Sequence, residues 1–228
     1  MNMKNIVKVN DKVFKNQMYP FLEQNFGYGQ PFLLKELYEL LPNANKNTIR
    51  EYIRRLINEN KLISVKNGVY ELPNSKRLLK KATPNISGII EISYLKDRDN
   101  NIFGYKSGIN LANKIGLTTQ TAAIDVIYSN RVSNRKREIK INNTKLIINS
   151  PRVKITNENY KLLQILDLLL EFEKYSEYDL NDAKEALNSY ISNIKISEKE
   201  FEKVISSYPQ RAQIKFYKIW GNNILKLK

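Results

Sequence analysis

The chain has 228 residues, and the 42% that are hydrophobic can bury one large core or two smaller ones. Histidine and cysteine are both absent, which excludes metal sites and catalytic groups that need either residue, and excludes disulfide scaffolds. The most apolar stretch, 162–170, is far shorter than the roughly 20 residues of a membrane span, and the N-terminus lacks the apolar core of a signal peptide. We therefore expect a cytoplasmic protein that binds no cofactor, metal ion or membrane.

The net charge of +15 is distributed unevenly along the chain. Residues 1–82 carry a net charge of +8 and residues 83–155 carry +7, whereas residues 156–228 contain 11 residues of each sign. A genome-wide preference for lysine would spread the excess evenly. A basic field confined to the first two thirds instead indicates a polyanionic partner, most simply nucleic acid. An anionic membrane surface is the weaker alternative, because the single tryptophan, Trp220, lies in the neutral third.

Three helices and a hairpin are predicted in succession near the N-terminus. The first two helices are expected over 18–26 and 31–41, with Pro31 at the first helical position of the second. A third helix is expected over 47–60, with an N-cap among residues 45–47, and two β-prone runs over 62–72 are joined by Asn67-Gly68. This order is typical of a winged helix-turn-helix, in which the third helix enters the major groove of DNA.

The third helix has one apolar face and one polar face. At about 100° per residue, Ile49, Ile53 and Leu56 share a face with Tyr52 and Ile57, and Asn47, Arg54 and Asn58 lie opposite. Asn and Arg side chains can pair with adenine and guanine edges, and Glu51 could accept from cytosine or pair with Arg55. The DNA-binding residues predicted for this helix and the hairpin are Lys46, Asn47, Thr48, Arg50, Arg54, Arg55, Lys66 and Asn67.

Two other interpretations of this segment stay open. A charged face opposite an apolar stripe is, in most helices, only a solvated face. Winged helices also serve as protein-binding modules. The position of the helix in the series and the basic charge of residues 1–82 favour DNA.

A domain boundary is expected near residue 83. Residues 74–87 are polar and contain Lys76, Arg77, Lys80 and Lys81, which suit either a basic helix end that contacts phosphates or a solvated linker. The predicted fold class is α+β. It comprises a DNA-binding domain over 1–82 and a larger domain over 83–228, which is mixed α/β over 83–155 and helical over 156–228.

The larger domain carries mixed signals before residue 156 and helical signals after it. We predict strands over 88–94 and 123–128, a helix over 105–115 and a hairpin over 138–149 around Asn142-Asn143. Helices are then expected over 160–172 with Asn157 as its cap, and over 181–191, 197–207 and 211–220.

One basic segment in this domain is a candidate for a second polyanion contact, although a solvated loop explains it equally well. Its cationic residues are Arg131, Arg135, Lys136, Arg137 and Lys140. Elsewhere no catalytic constellation is visible. The 104–108 segment lacks the longer glycine loop of a P-loop, and Asp97, Asp99, Asp179 and Asp182 suit surface turns better than a metal site.

Several short motifs resemble the AbiEi-type antitoxins of bacterial type IV abortive-infection toxin–antitoxin systems. They are Gly104-Tyr105, Ser107-Gly108, the run Gly116-Leu117-Thr118-Thr119-Gln120, and the later Ser129-Asn130-Arg131. The resemblance implies an N-terminal domain that represses its own operon at upstream inverted repeats. It also implies a C-terminal domain that counters a nucleotidyltransferase toxin, with or without a direct complex. The run from Gly116 to Gln120 would mark that domain, and a structural role is favoured for it, such as a helix cap by Thr118 or Thr119.

The combined prediction is a non-enzymatic antitoxin and autorepressor that binds promoter DNA as a monomer or weak dimer. The first alternative is a winged-helix regulator whose C-terminal domain senses a ligand or a protein. A metal-dependent nuclease and a pure protein-interaction module are further alternatives. The lack of a carboxylate cluster counts against the nuclease.

Overall fold

The computed structural model describes residues 11–74, 84–133 and 136–221, with side chains from residue 17 onward. The chain divides between Ser93 and Tyr94 into two compact units, called here the first and the second unit. The boundary expected near residue 83 lies outside the described residues, as do Lys76, Arg77, Lys80 and Lys81. Helices and two small sheets confirm the α+β class. Within the described ranges, no helix is long and apolar enough to cross a membrane.

The first unit contains four helices and a three-stranded antiparallel sheet in its described part. Its elements are α1 (Asp11–Phe26), β1 (Pro31–Leu33), α2 (Leu34–Leu40), α3 (Lys46–Asn58), β2 (Ile63–Lys66), β3 (Val69–Glu71) and α4 (Ile86–Ile90). The strand order is β1-β3-β2. Gly68 has a φ of 74°, which the tight β2–β3 turn requires and glycine adopts without strain. The predicted third helix and its hairpin are therefore confirmed.

The core of the first unit joins its helices to its sheet. Phe32 of β1 is fully buried, and its ring stacks on Phe26 of α1 with 4.2 Å between centroids. Leu22, Leu37 and Ile49 bring one buried side chain each from α1, α2 and α3 into the same cluster. The positions of the three helices are thus fixed by apolar packing, which is the dominant stabilising term in small domains.

The prediction of a continuous helix over 31–41 is wrong at its start. Pro31 to Leu33 form a strand that pairs with β3, and the helix begins only at Leu34. Glu36 fixes this boundary, since its carboxylate accepts a 2.7 Å hydrogen bond from the backbone N–H of Leu33. Proline is tolerated as the first residue of a strand because it need not donate to the ladder.

The prediction of a strand over 88–94 is also wrong. Asn85 caps α4 by accepting from the Gly88 N–H at 3.0 Å, and a π-helical segment, Glu91–Leu95, follows directly. Ile89 and Ile90 are buried on this helix. A short apolar run rich in isoleucine does not distinguish a strand from a buried helix, so the periodicity was ambiguous here.

The second unit contains a four-stranded mixed sheet followed by a helical half. Its strands are β4 (Gly104–Ser107), β5 (Asp125–Ser129), β6 (Lys136–Ile141) and β7 (Thr144–Asn149), in the order β4-β5-β7-β6. Its helices are α5 (Ile109–Lys114), α6 (Tyr160–Leu170), α7 (Phe172–Tyr175), α8 (Lys184–Ile191), α9 (Glu198–Ser206) and α10 (Gln210–Trp220). Only β5 and β7 pair in parallel within the described sheet.

Two local predictions for the second unit need correction. The segment predicted as one helix over 105–115 begins as strand β4, and α5 starts only at Ile109. A Cβ on Gly104 would lie 1.9 Å from the Tyr94 carbonyl oxygen, so close backbone approach explains this glycine. Asn157 does not cap α6, because its side-chain oxygen accepts from the Ile102 N–H at 2.6 Å and the helix begins at Tyr160.

Helix α6 is the central element of the second unit. It is buried on nearly every side, as its apolar sequence predicts, and it packs against β4 and α10. Its one acidic residue, Asp167, is buried and accepts hydrogen bonds from the hydroxyls of Tyr105 at 2.6 Å and Tyr208 at 3.0 Å. Buried polar groups are costly unless they are bonded in this way.

Candidate nucleic-acid interface

Helix α3 begins at a well-formed N-cap. The Asn45 side chain accepts a 2.8 Å hydrogen bond from the Asn47 N–H, which satisfies one of the donors that the first turn leaves unpaired. The helix continues to Asn58, where the Glu59 N–H bonds to the Arg55 carbonyl oxygen at 2.9 Å. Asn45 is one of the three predicted N-cap candidates, so the sequence located this end of the helix to within a residue.

The two faces of α3 are arranged as the helical periodicity predicts. Ile49, Tyr52, Ile53 and Leu56 are buried, and Ile57 is half-buried beside them. On the outer side, five of the six predicted α3 contacts are exposed, namely Lys46, Asn47, Arg50, Arg54 and Arg55, while Thr48 is half-buried. The helix is therefore anchored by one face and presents amide and guanidinium donors on the other.

Among the described residues, the polar side chains on α3 make weak contacts with one another and with aromatic rings. Arg54 lies 3.3 Å from the Glu51 carboxylate, and Arg50 donates to the Asn47 side chain at 3.4 Å. Arg55 lies 5.2 Å above the ring of Tyr52. Glu51 therefore pairs with Arg54, three residues further along the helix, and not with Arg55, the partner that the sequence suggested. Exposed pairs of this kind contribute about 0–1 kcal/mol, so each arginine can exchange its partner at small cost.

Tyr38 of α2 supports the start of α3, and the sequence analysis missed it. The Lys46 ammonium lies 5.4 Å from the centre of its ring, and the Arg50 guanidinium lies 5.8 Å from it. Its buried hydroxyl has no hydrogen-bond partner in the described part of the chain. Two of the predicted DNA contacts, Lys46 and Arg50, thus lie against one aromatic ring. This arrangement depends on how α2 packs against α3, so no local sequence pattern predicts it.

The hairpin carries the remaining two predicted contacts beside α2. Asn67 is exposed at the turn and Lys66, at the end of β2, is half-buried. The Gly68 carbonyl oxygen accepts a 2.9 Å hydrogen bond from the Leu34 N–H, which ties the turn to the start of α2. The two predicted contacts on the hairpin therefore occupy a fixed position within the first unit.

The basic segment of the second unit does not form one patch. Arg131 lies over the ring of Phe103 at 3.7 Å, in the turn after β5, and Arg135 lies outside the described residues. On β6, Lys136 and Lys140 project from one face of the sheet and Arg137 from the other, because side chains alternate along a strand. Lys145 on β7 pairs directly with Lys140, so it joins the first of these faces, and the sequence analysis did not include it.

The run from Gly116 to Gln120 forms a clamped loop after α5. Gly116 has a φ of 79°, as is common just after a helix, and Leu117 is buried. The Thr118 hydroxyl donates to Glu177 at 2.6 Å and accepts from the Gln120 N–H at 3.1 Å, and the Thr119 N–H also donates to Glu177. These bonds hold the pKa of Glu177 below its usual value. These hydrogen bonds give Thr118 and Thr119 structural contacts. The two threonines hold the loop after α5 to Glu177 and do not cap the helix turn that was expected.

Ionisable groups with displaced pKa values are found inside the second unit. Burial raises the pKa of Asp167 to about 7, and it raises the pKa values of Tyr105 and Tyr208 well above the usual range of tyrosine. Across the described ranges, no group of three or more Asp and Glu residues could hold a metal ion.

Comparison with known proteins gives one family and no curated relative. The model of a family of unknown function, DUF6088, matches residues 29–187. The matched region runs from just before β1 into α8, so it includes α3, the β2–β3 hairpin and the run from Gly116 to Gln120. No curated protein matches the chain.

Proposed function

We propose that this protein, which belongs to the DUF6088 family of unknown function, binds double-stranded DNA through the first unit as a winged helix-turn-helix. The observation that carries the proposal is the outer face of α3, where Asn47, Arg50 and Arg54 are exposed opposite a buried apolar face. A helix seated in this way can enter a major groove of about 12 Å without exposing its core. The β2–β3 hairpin would then serve as the wing.

The chemistry of α3 suits base recognition better than a general solvated face. Arg and Asn form bidentate pairs with guanine and adenine, each worth about 1–3 kcal/mol of discrimination. The competing Arg54–Glu51 contact joins side chains that are 74% and 57% exposed, so water and salt weaken it. The Glu51 contact is therefore weak enough for a base edge to compete for Arg54.

The hairpin and the start of α3 supply contacts suited to the phosphate backbone. Lys46 adds positive charge at the start of α3, Lys66 adds it at the end of β2, and Asn67 adds an amide at the turn. Such contacts fix the orientation of a protein on the duplex and do not read its sequence. The hydrogen bond from the Leu34 N–H to the Gly68 carbonyl oxygen holds the hairpin turn against the start of α2.

We further propose that the protein is an autorepressor and antitoxin that antagonises a nucleotidyltransferase toxin through the second unit. Support comes from the motifs that resemble the AbiEi-type antitoxins, the most specific of which is the run from Gly116 to Gln120. The region that the family model matches contains both this run and α3, so it includes parts of the first and the second unit. The operator is expected to contain inverted repeats, each bound by one monomer or by one subunit of a weak dimer.

The DNA-binding part is tested by comparing Arg54→Ala with Arg211→Ala on the upstream DNA of the protein's own gene and on a scrambled duplex. Arg211 is a matched control because it is an exposed arginine paired with a carboxylate, Glu171. We expect Arg54→Ala to weaken binding to the upstream DNA by about 1–3 kcal/mol and binding to the scrambled duplex much less. Equal losses on both duplexes would reduce Arg54 to a phosphate contact, and no loss would refute the α3 interface.

The antitoxin part is tested by growth of cells that express a neighbouring nucleotidyltransferase gene. The full chain should restore growth, and the Arg54→Ala variant should restore it equally when both are expressed from a foreign promoter. This variant separates antagonism from DNA binding because Arg54 belongs to the first unit. Failure of the unaltered chain to restore growth would refute the antitoxin proposal and leave the DNA-binding proposal standing.

A further inference from the structure

A polar pocket of about 490 Å³ opens in the second unit beside the loop that follows β7. Its lining residues are Tyr128, Asn149, Ser150, Pro151, Arg152 and Ser207. Its volume is in the range of about 300–1,000 Å³ that is typical of small-molecule sites. The proposed function does not use this pocket, because the DNA contacts lie on α3 and the hairpin.

The pocket presents hydrogen-bond donors and contains no carboxylate. The side chains of Tyr128, Asn149, Ser150 and Arg152 all carry N–H or O–H groups, and none of these four donates a hydrogen bond to another described residue. Ser207 differs, since its hydroxyl already donates to the Val204 carbonyl oxygen at 2.6 Å and offers the pocket only lone pairs. A set of donors around one guanidinium selects an anion and not a cation.

Arg152 is held in position although its side chain is exposed. Its guanidinium lies 5.2 Å from the centre of the Tyr208 ring. Its loop is anchored by Asn130, whose side chain donates to the Ile155 carbonyl oxygen at 2.8 Å and accepts from the Ile155 N–H at 2.9 Å. In the described chain no carboxylate lies within salt-bridge distance of Arg152, and the nearby Asp167 is engaged by two tyrosine hydroxyls.

Lysines extend this positive charge along the same face of the sheet. Lys136 pairs directly with Asn149 of the pocket, and Tyr128 is the other neighbour of Asn149, so all three side chains share one face. Four residue pairs further along, Lys140 and Lys145 stand opposite each other on that face, and Glu138 lies on it between Lys136 and Lys140. With three lysines and one glutamate, this face of β6 and β7 keeps a net positive charge, which favours an anion over a cation.

We infer that this pocket binds a phosphate group, with Arg152 as the bidentate ligand and Tyr128, Asn149 and Ser150 as additional donors. The planar fork of arginine matches two phosphate oxygens, which makes it the preferred residue for this group. The phosphate can belong to a free nucleotide or to a nucleic-acid backbone, and the pocket chemistry is the same for both. A nucleotide in this position would give the second unit the ligand-sensing role of the alternative regulator.

The test is calorimetric titration of the full chain with adenosine monophosphate, with adenosine, and with a 12-base-pair duplex that lacks terminal phosphates. Arg152→Met is compared with Arg211→Met, a control that also removes an exposed arginine of the second unit and lies outside the pocket. Arg152→Lys keeps the charge and removes the fork. We expect at least a tenfold loss of phosphate binding in Arg152→Met, an intermediate loss in Arg152→Lys and little change in Arg211→Met.

Each outcome decides the inference. A free nucleotide is supported as the source of the phosphate if adenosine monophosphate binds, adenosine does not, and Arg152→Met abolishes the binding. Duplex binding that depends on Arg152 and persists in Arg54→Ala supports a nucleic-acid backbone. The inference is overturned if adenosine monophosphate does not bind and Arg152→Met leaves duplex binding unchanged, or if Arg211→Met reduces binding as much as Arg152→Met. The results with adenosine monophosphate and adenosine test the pocket separately from the α3 interface, because all residues that line the pocket belong to the second unit.

Discussion

Asp167 makes the stability of the second unit depend on pH in a direction opposite to that of most carboxylates. Burial raises its pKa from 3.8 to about 7, against the hydrogen bonds from Tyr105 and Tyr208 and the charge of Arg152. Because the folded pKa exceeds the unfolded value, the folded chain binds more protons between about pH 4 and pH 7. This contribution to stability is complete below pH 4, and it is lost as the pH rises through 7.

The magnitude follows from the displacement of the pKa. Each pH unit between the two pKa values removes about 1.4 kcal/mol, so the full displacement corresponds to about 4 kcal/mol. Asp167→Asn replaces the carboxylic acid by a neutral group of similar size that cannot ionise. The unfolding free energy of this variant should therefore lack that loss between pH 4 and pH 7.5, whereas the unaltered chain should show it.

Urea unfolding at several pH values measures this difference. Fluorescence of Trp220, the only tryptophan in the chain, reports on the second unit because the indole packs against Phe216 at 4.6 Å between ring centroids. Asp182→Asn is the control, since Asp182 is exposed on the same unit and should leave the pH slope unchanged. Equal slopes for the unaltered chain and Asp167→Asn would refute the argument that desolvation dominates the titration of Asp167.

Three further substitutions test other parts of the account. Gly104→Ala should abolish cooperative unfolding of the second unit followed by Trp220 fluorescence, because its Cβ would lie 1.9 Å from the Tyr94 carbonyl oxygen; a native-like urea transition would contradict this packing. Thr118→Val should lower the unfolding free energy by about 1–2 kcal/mol, and Thr119→Val by less, since its hydroxyl is 3.3 Å from Glu177; the reverse order would refute the clamp. Lys66→Ala should weaken binding to upstream and scrambled DNA alike and reduce the salt slope by about 1, and a loss confined to upstream DNA would contradict its backbone role.

The features that sequence predicted well are those with a local physical cause. Asn45, the 3.6-residue period of Ile49 to Leu56 and the Asn67-Gly68 turn each act within one element, and α3 and the β2–β3 hairpin appear where they were expected. The same holds for the β6–β7 hairpin, whose turn residue Asn142 has a φ of 53°.

The features that sequence missed depend on distant parts of the chain. Strand β1 has three residues and exists because β3, 38 residues further on, offers it a partner in the register Pro31 to Glu71. Strand β4 depends on pairing with β5 in the same way. Such pairing leaves no periodic signal in so short a segment.

The candidate sites differ in the same respect. The predicted contacts on α3 needed only one helical period, and their outward position follows from it. The support that Tyr38 gives to Lys46 and Arg50 needed the packing of two helices. The pocket around Arg152 needed a sheet register, a loop anchored by Asn130 and the end of a distant helix. Neither the Tyr38 contacts nor the pocket can be read from spacing along the chain.

The measurement that tests the central claim most directly is a titration of the full chain onto the upstream DNA of its own gene and onto a scrambled duplex, across a salt series. The account predicts tight binding near physiological salt and a preference of about a thousandfold or more for the upstream DNA. Weak binding to both duplexes that collapses steeply as salt rises would show that the basic charge gives only non-specific attraction. The first unit would then be a protein-interaction module and not a repressor.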